Sequence, residues 1–405
     1  MKKAAIITAS LLCLMAGAGA QKTVTIDWYG FVMAQTYVNT RTSASGAGGF
    51  LYLYPLDERI VNFETNDDLN ANMHASYFGA LARVGMNLKA PDLFGAKSKA
   101  RVEIDLTGFN PTDNPILYRH AYMGLDWDRS SLTLGQTWHP LSELFPSTVS
   151  IAIGSPFNAL NRSPQLRYDK FLGQNREFKL SAAALFQYLS ASTGPKGRTG
   201  EYHRNSAVPE FYIGAQMNTG GFMFGIGGEW QRVAPRVESP SGVKVNEYIN
   251  TFAGMVQAGY EEGLLSWKGK ILLGQNMSNL GICSGYGEAV TEDGTLEWRP
   301  LTAVSSWTHF SYGKELKVGL FGGYMKNLGG KEGLTFQKLY VVGGDKIDAM
   351  YRIAPNVSYT VSNMNLACEY DMTSVAYGDR QARGNVANSH WVTNNRVLLS
   401  VTYMF

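Results

Sequence analysis

The segment Arg396-Val-Leu-Leu-Ser-Val-Thr-Tyr-Met-Phe405 decides how the rest of the chain is read. In an extended backbone, successive side chains point to opposite faces. Val397, Leu399, Val401, Tyr403 and Phe405 therefore share one face, and Arg396, Leu398, Ser400, Thr402 and Met404 share the other. The first face is apolar and ends in aromatic rings; the second is mostly polar or small. That is the pattern of a β-strand with lipid on one side and a watery lumen on the other. The competing reading of this stretch alone is an edge strand of a soluble sandwich.

The same alternation recurs along the chain. Phe78, Ala80, Ala82, Val84, Met86 and Leu88 oppose Arg83, Gly85, Asn87 and Lys89. Val102, Ile104 and Leu106 oppose Arg101, Glu103 and Asp105, and three charges on one face are very costly against lipid, so that face meets water. Continued to the C-terminus, the pattern predicts sixteen strands in an all-β, antiparallel, up-and-down transmembrane barrel. The connectors support the number. Short ones near residues 90–96, 127–131, 172–175, 219–220, 261–263, 313–314 and 360–363 alternate with long ones near 41–74, 109–115, 139–164, 190–207, 232–246, 276–300, 327–346 and 378–392. Even strand numbers, short turns on one side and longer loops on the other belong to outer-membrane barrels, whereas a soluble sandwich has no reason to alternate in this way.

The N-terminus carries an export address. Lys2 and Lys3 precede an apolar run from Ile6 to Met15, and Ala18-Gly-Ala20 offers small residues for cleavage. The reading is a signal peptide over residues 1–20 and a barrel over 21–405. Without Lys2 and Lys3 the chain has 34 basic against 33 acidic residues, which is no nucleic-acid footprint. Cys283 and Cys368 are too few for a disulfide framework, and a bridge between them is not expected. No mature segment has 18 consecutive apolar residues, so no helical span is predicted. The 22 tyrosines and 44 glycines suit a strand-rich barrel with tight hairpins, such as the turn at Thr219-Gly220-Gly221.

Residues 139–164 are unusually apolar for a loop, with Leu144, Phe145, Val149, Ile151, Ile153, Phe157 and Leu160. Such a loop packs against something rather than extending into water. An inward fold buries these side chains and narrows the opening. The alternatives are a cap on the rim or a contact with a neighbouring subunit. Glu143 and Arg162 are its only formal charges.

Several short motifs carry a family likeness: Trp28-Tyr-Gly-Phe31, Arg119-His-Ala-Tyr122, Gly135-Gln-Thr-Trp138 and Arg162-Ser-Pro-Gln-Leu-Arg167. With them the chain resembles the sixteen-stranded outer-membrane porins, and more narrowly the DcaP-like porins and related porin-like proteins of the Bacteroides group. The terminal Tyr403 and Phe405 likewise resemble the signal by which such barrels are recognised for insertion. The resemblance implies a homotrimer in outer-membrane lipid, placed there by the barrel-assembly machinery, with a third loop that constricts the pore. It also implies passage of small hydrophilic solutes, dicarboxylates among them. The chain lacks the acidic Pro-Glu-Phe-Gly-Gly-type loop of general enteric porins, so their cation preference does not carry over.

The lumen is the remaining question, because wall charge and width decide what passes. The predicted constriction and selectivity residues are Arg83, Arg101, Glu103, Asp105, Arg119, Glu143, Arg162 and Arg167. Lys179, Lys268, Lys270, Lys317, Arg352, Glu177, Glu229, Glu369 and Asp371 are further lumenal candidates. Arginine forks suit carboxylates, so anions are the expected class. Arg119 is difficult: strict alternation that points it inward also points Leu117, Ala121 and Met123 inward and puts His120 outside. It is then either a pore residue or a structural residue at a subunit contact. No cofactor or metal site is predicted; Asn66-Asp67-Asp68 offers oxygen ligands of the kind calcium takes, but such acidic loops are usually just solvated, and that is the reading adopted. Two other classes compete with a channel, a lipid-modifying enzyme and a non-conducting structural or adhesive barrel. Ser305, His309 and Ser311 share a strand face but are read as lumenal, and neither HExxH nor Gly-x-Ser-x-Gly occurs. No plug or peptidoglycan-binding extension is recognised.

Overall fold

The computed structural model describes residues 24–62, 64–65, 67–106 and 116–405, so the leader read over residues 1–20, Asn66 of the acidic loop and the second loop lie outside the described residues. Sixteen antiparallel strands close into one barrel. They are β1 (Thr25–Asn39), β2 (His74–Leu93), β3 (Ala96–Leu106), β4 (Ile116–Asp126), β5 (Ser130–Trp138), β6 (Arg162–Leu172), β7 (Phe178–Leu185) and β8 (Glu210–Thr219). The second half comprises β9 (Phe222–Val233), β10 (Ile249–Glu262), β11 (Leu265–Gln275), β12 (Thr302–Gly313), β13 (Leu316–Gly329), β14 (Ile347–Val361), β15 (Met364–Arg380) and β16 (Val386–Met404). The longest short turn covers residues 173–177, while the first loop runs over 40–73. The last loop is shorter than the sequence suggests, residues 381–385, because β15 and β16 continue pairing to Arg380↔Val386 past a register shift.

The alternation seen in the last strand holds. Arg396, Leu398, Ser400 and Thr402 are buried inside, whereas Val397, Leu399, Val401 and Tyr403 are exposed outside. Closure removes every free edge, so the backbone amides are satisfied strand to strand, as a span through hydrocarbon requires. Aromatic rings form two belts on the outer surface. Phe222 stacks near Tyr260 at one level, with ring centroids 4.3 Å apart, and Phe211 on Trp230 at the other, at 6.0 Å. Phe222 and Trp230 lie eight residues apart on β9, as Tyr351 and Tyr359 do on β14. At about 3.3 Å per residue that is roughly 26 Å along a tilted strand, which suits the aromatic girdles of an outer-membrane barrel.

The seam joins β1 to β16, from Phe31↔Met404 to Asn39↔Arg396. Beyond it Gly30 N–H donates to Phe405 O at 2.9 Å, and Phe405 N–H donates back to Gly30 O at 3.1 Å. A Cβ at Gly30 would stand 2.2 Å from Arg83 O and 2.7 Å from the Phe405 ring. Gly30→Val is therefore expected to strain the closing strand by about 1–3 kcal/mol. Heating the folded barrel and following its mobility on semi-native gels tests this: the mutant should unfold at lower temperature, and an unchanged transition would show that the seam tolerates the side chain.

The difficulty at Arg119 is resolved by a β-bulge. Glu103 pairs with His120 and Ile104 with Tyr118, so Arg119 is the extra residue. The extra residue flips the alternation. Arg119 and His120 are both buried inside, and Leu117, Tyr118 and Met123 are exposed outside. The expectation that an inward Arg119 puts His120 outside is thereby corrected.

Candidate functional site

The third loop, residues 139–161, leaves β5, turns through the short 3-10 segment Pro140–Ser142 and folds into the lumen. Its apolar residues find the barrel's inner wall. Leu141, Phe157 and Ala159 are buried in one cluster with Leu272 on β11, Trp307 on β12, Phe321 and Met325 on β13, and Met350 on β14. Phe157 reaches the wall because Gly323 has no side chain; a Cβ there would stand 2.5 Å from the ring.

Polar tethers complete the attachment. Lys270 Nζ donates to Leu141 O at 2.8 Å and Leu144 O at 3.1 Å. Glu369 accepts from Val149 N at 2.7 Å and Ser150 N at 3.2 Å. Trp307 Nε1 donates to Asn158 Oδ1 and Ser305 Oγ to Phe157 O, both at 2.9 Å. Arg352 donates to Ser155 O at 3.1 Å and also to Leu53 O. Leu53 belongs to a second inward element, a hairpin of the first loop whose strands are Ser43–Gly46 and Leu51–Pro55. Its Tyr52 is fully buried, with Arg352 and Arg396 over the ring at 5.0 and 5.2 Å. Lys270, Arg352, Glu369 and Asp371, candidates for the pore wall by sequence, are thus covered by loops.

The predicted selectivity residues fall into two clusters. In the first, Glu103 and Asp105 of β3 are gripped by arginines from three strands. Arg83 of β2 makes a two-pronged contact with Asp105 at 2.7 and 3.0 Å. Arg101 donates to Glu103 at 2.6 Å; Arg119 donates to Glu103 at 2.6 Å and to Asp105 at 3.0 Å. Tyr29 Oη adds a bond to Glu103 at 2.7 Å. Arg162, at the end of the third loop, completes this wall. It lies 3.8 Å above the centroid of the Trp138 ring and, among the described residues, forms no ion pair. Four arginines therefore stand with two carboxylates, an excess of two positive charges.

The second cluster is balanced. Arg167 pairs with Glu143 and, at 3.0 Å, with Asp169; Lys179 approaches Glu143 at 3.5 Å. Burial alone would raise the Glu143 carboxyl, but the Arg167 guanidinium and Lys179 ammonium hold it below the ordinary range. Beside this cluster is a cavity of about 900 Å³, with Trp138, Glu143, Lys179, Gln216, Gln257 and Lys268 among its lining. It extends to the Thr219–Gly221 turn.

Other sequence candidates are accounted for. Ser305, His309 and Ser311 all point inward and are buried. Asp68 of the acidic loop pairs with Arg41 at 2.7 Å. One buried cluster escaped the sequence reading, His139 with Glu210 and Glu229. The three residues are far apart in sequence and match no spacing motif.

A closed sixteen-stranded barrel, polar inside, belted with aromatics and narrowed by its third loop, is the architecture of the outer-membrane porins. Among solved structures the chain is similar to the outer membrane channel DcaP of Acinetobacter baumannii, at TM-score 0.68 and 16% identity over 96% of this chain and 100% of that one. It is also similar to the anion-selective porin from Comamonas acidovorans, at TM-score 0.55 and 11% identity over 95% and 100% of the two chains. OmpF of Salmonella typhi matches at TM-score 0.56 and 12% identity, over 94% and 97%. At these identities the likeness is one of fold. No protein-family model and no curated protein matches the sequence.

Proposed function

We propose that this protein is a passive, water-filled diffusion channel of the outer membrane that passes small hydrophilic solutes and favours anions, carboxylates among them. The observation that carries the anion preference is Arg162, which among the described residues has no ion-pair partner and is held beside three further arginines and two carboxylates. A buried-edged wall with net positive charge raises the local concentration of anions and excludes cations. The constriction in this reading lies between the third loop and that wall, with Arg83, Arg101, Glu103, Asp105, Arg119 and Arg162 on one side and Glu143 with Arg167 on the other. One of the similar porins is itself described as anion-selective, which accords with this reading but does not carry it.

The remaining parts of the proposal follow from the address and the fold. Residues 1–20 act as a cleaved signal peptide, Tyr403 and Phe405 as the insertion signal, and the barrel assembles as a homotrimer. A similar outer membrane protein, OmpT of Vibrio cholerae, has been solved in a trimer form. Single-channel recording in a planar bilayer, with the reversal potential taken across a salt gradient, tests the function. Stable steps with an anion-favouring reversal potential are expected. Steps that favour cations would keep the channel and overturn the role of the arginine wall. Folded protein without conductance would overturn the channel itself.

A further inference from the structure

We infer that His139, Glu210 and Glu229 form a binding site for a divalent transition cation of the zinc or manganese type, at the root of the third loop. This goes beyond the channel reading and does not depend on it. The three side chains come from different elements: His139 is the first residue of the loop, Glu210 opens β8 and Glu229 lies within β9. All three are completely buried. Their ligating atoms converge, each within 4.8 Å of the others. His139 Nε2 stands 3.1 Å from Glu229 Oε2 and 3.7 Å from Glu210 Oε2. Ligands about 2.1 Å from a tetrahedral ion are separated from one another by about 3.4 Å, between those two distances.

The hydrogen bonding separates atoms aimed into the site from atoms anchored outside it. Glu210 Oε1 accepts from Gln187 Nε2 at 2.6 Å and from Asn279 Nδ2 at 3.2 Å. By contrast Glu210 Oε2, both oxygens of Glu229 and His139 Nε2 are buried without a hydrogen-bond partner. Two buried carboxylates that share a single imidazole as their ionic neighbour are expensive, and among the described residues neither glutamate is ion-paired with a lysine or arginine. A divalent cation supplies the missing charge and takes up the orphaned lone pairs together. Imidazole nitrogen with carboxylate oxygens suits zinc and manganese rather than a thiolate-seeking ion. The amides of Gln187 and Asn279 act as outer supports that orient a ligating carboxylate. Metal on Nε2 places the ring proton on Nδ1, so ligation requires the single 3.2 Å contact from Leu141 N–H to Nδ1 to turn aside. The ion would then pin the loop's first residue to two neighbouring wall strands.

The test uses the full barrel refolded into detergent with or without ZnCl2 or MnCl2, then dialysed against metal-free buffer. Elemental analysis should find one zinc or manganese per protomer retained in wild type. In Glu229→Gln and in Glu210→Gln, retention should fall at least about tenfold. Because the sites are read in wild type first, a mutant that fails to fold does not remove the test. Wild type that retains no stoichiometric metal, or a double mutant Glu210→Gln/Glu229→Gln that retains as much as wild type, would overturn the site. His139 would then simply share protons with the two carboxylates. Conductance recorded on the same samples reports the channel separately, so failure of one reading leaves the other measurable.

Discussion

Arg162→Glu is expected to abolish the anion preference of the channel. Its wall holds four arginines and two carboxylates, and the reversal gives three of each, so the net charge falls from two to zero. The effect should be large for two reasons. Among the described residues Arg162 has no ion-pair partner, so its charge is not already spent inside the wall. It is also held 3.8 Å over Trp138 and does not swing freely into water. Charges in a partly desolvated setting interact several times more strongly than in bulk solvent. A factor of about five in the anion-to-cation permeability ratio, or about 1 kcal/mol, is the expected scale. The measurement is the reversal potential across a salt gradient in planar bilayers. Arg167→Ala offers the contrast: Arg167 is tied to Glu143 and Asp169, so its loss uncovers acidic groups instead of removing a free positive charge. If Arg162→Glu conducts with wild-type selectivity, the arginine wall does not set the preference.

Removal of residues 145–158, bridged by a short Gly-Ser linker, is expected to raise single-channel conductance roughly two- to threefold. This cut takes out Phe157, the acceptors of Trp307 and Ser305 and one of the acceptors of Arg352, but leaves Leu141 and Leu144 to satisfy Lys270. The barrel should persist, because its closure rests on strand pairing and not on the loop. The gain is limited because the first-loop hairpin stays inside, held by Arg352 on Leu53 O and by Tyr377 Oη on Pro55 O at 2.7 Å. The variant should also lose selectivity as the opposing side of the constriction recedes. Unchanged conductance from a correctly folded variant would show that the third loop does not limit flow.

The fold was legible because its signal is local. Period-two alternation over ten residues says which side chains meet lipid, and the rhythm of short and long connectors says how many strands there are. Arg396, Leu398 and Ser400 needed no other part of the chain to be placed inside. The candidate site was legible only in part. Arg83, Glu103 and Asp105 stand out because charges recur on one face of short strands. Arg119 was picked out as well, but its facing was left open and His120 was expected outside, because a one-residue bulge breaks the period on which the reading depends.

By itself, then, the sequence determined the strands, their facing and the loop that had too much apolar surface to remain in water. What only the tertiary structure decided is which inward charges still face water. Lys270 and Arg352 look in sequence like Lys268 and Arg83, yet they are buried and serve, with Glu369, as anchors for the third loop. The same holds for His139, Glu210 and Glu229, drawn together from three separate elements. The physical reason is that a strand's facing depends on residues next to each other in the chain, whereas burial in the lumen depends on where a distant loop finds its lowest-energy contacts.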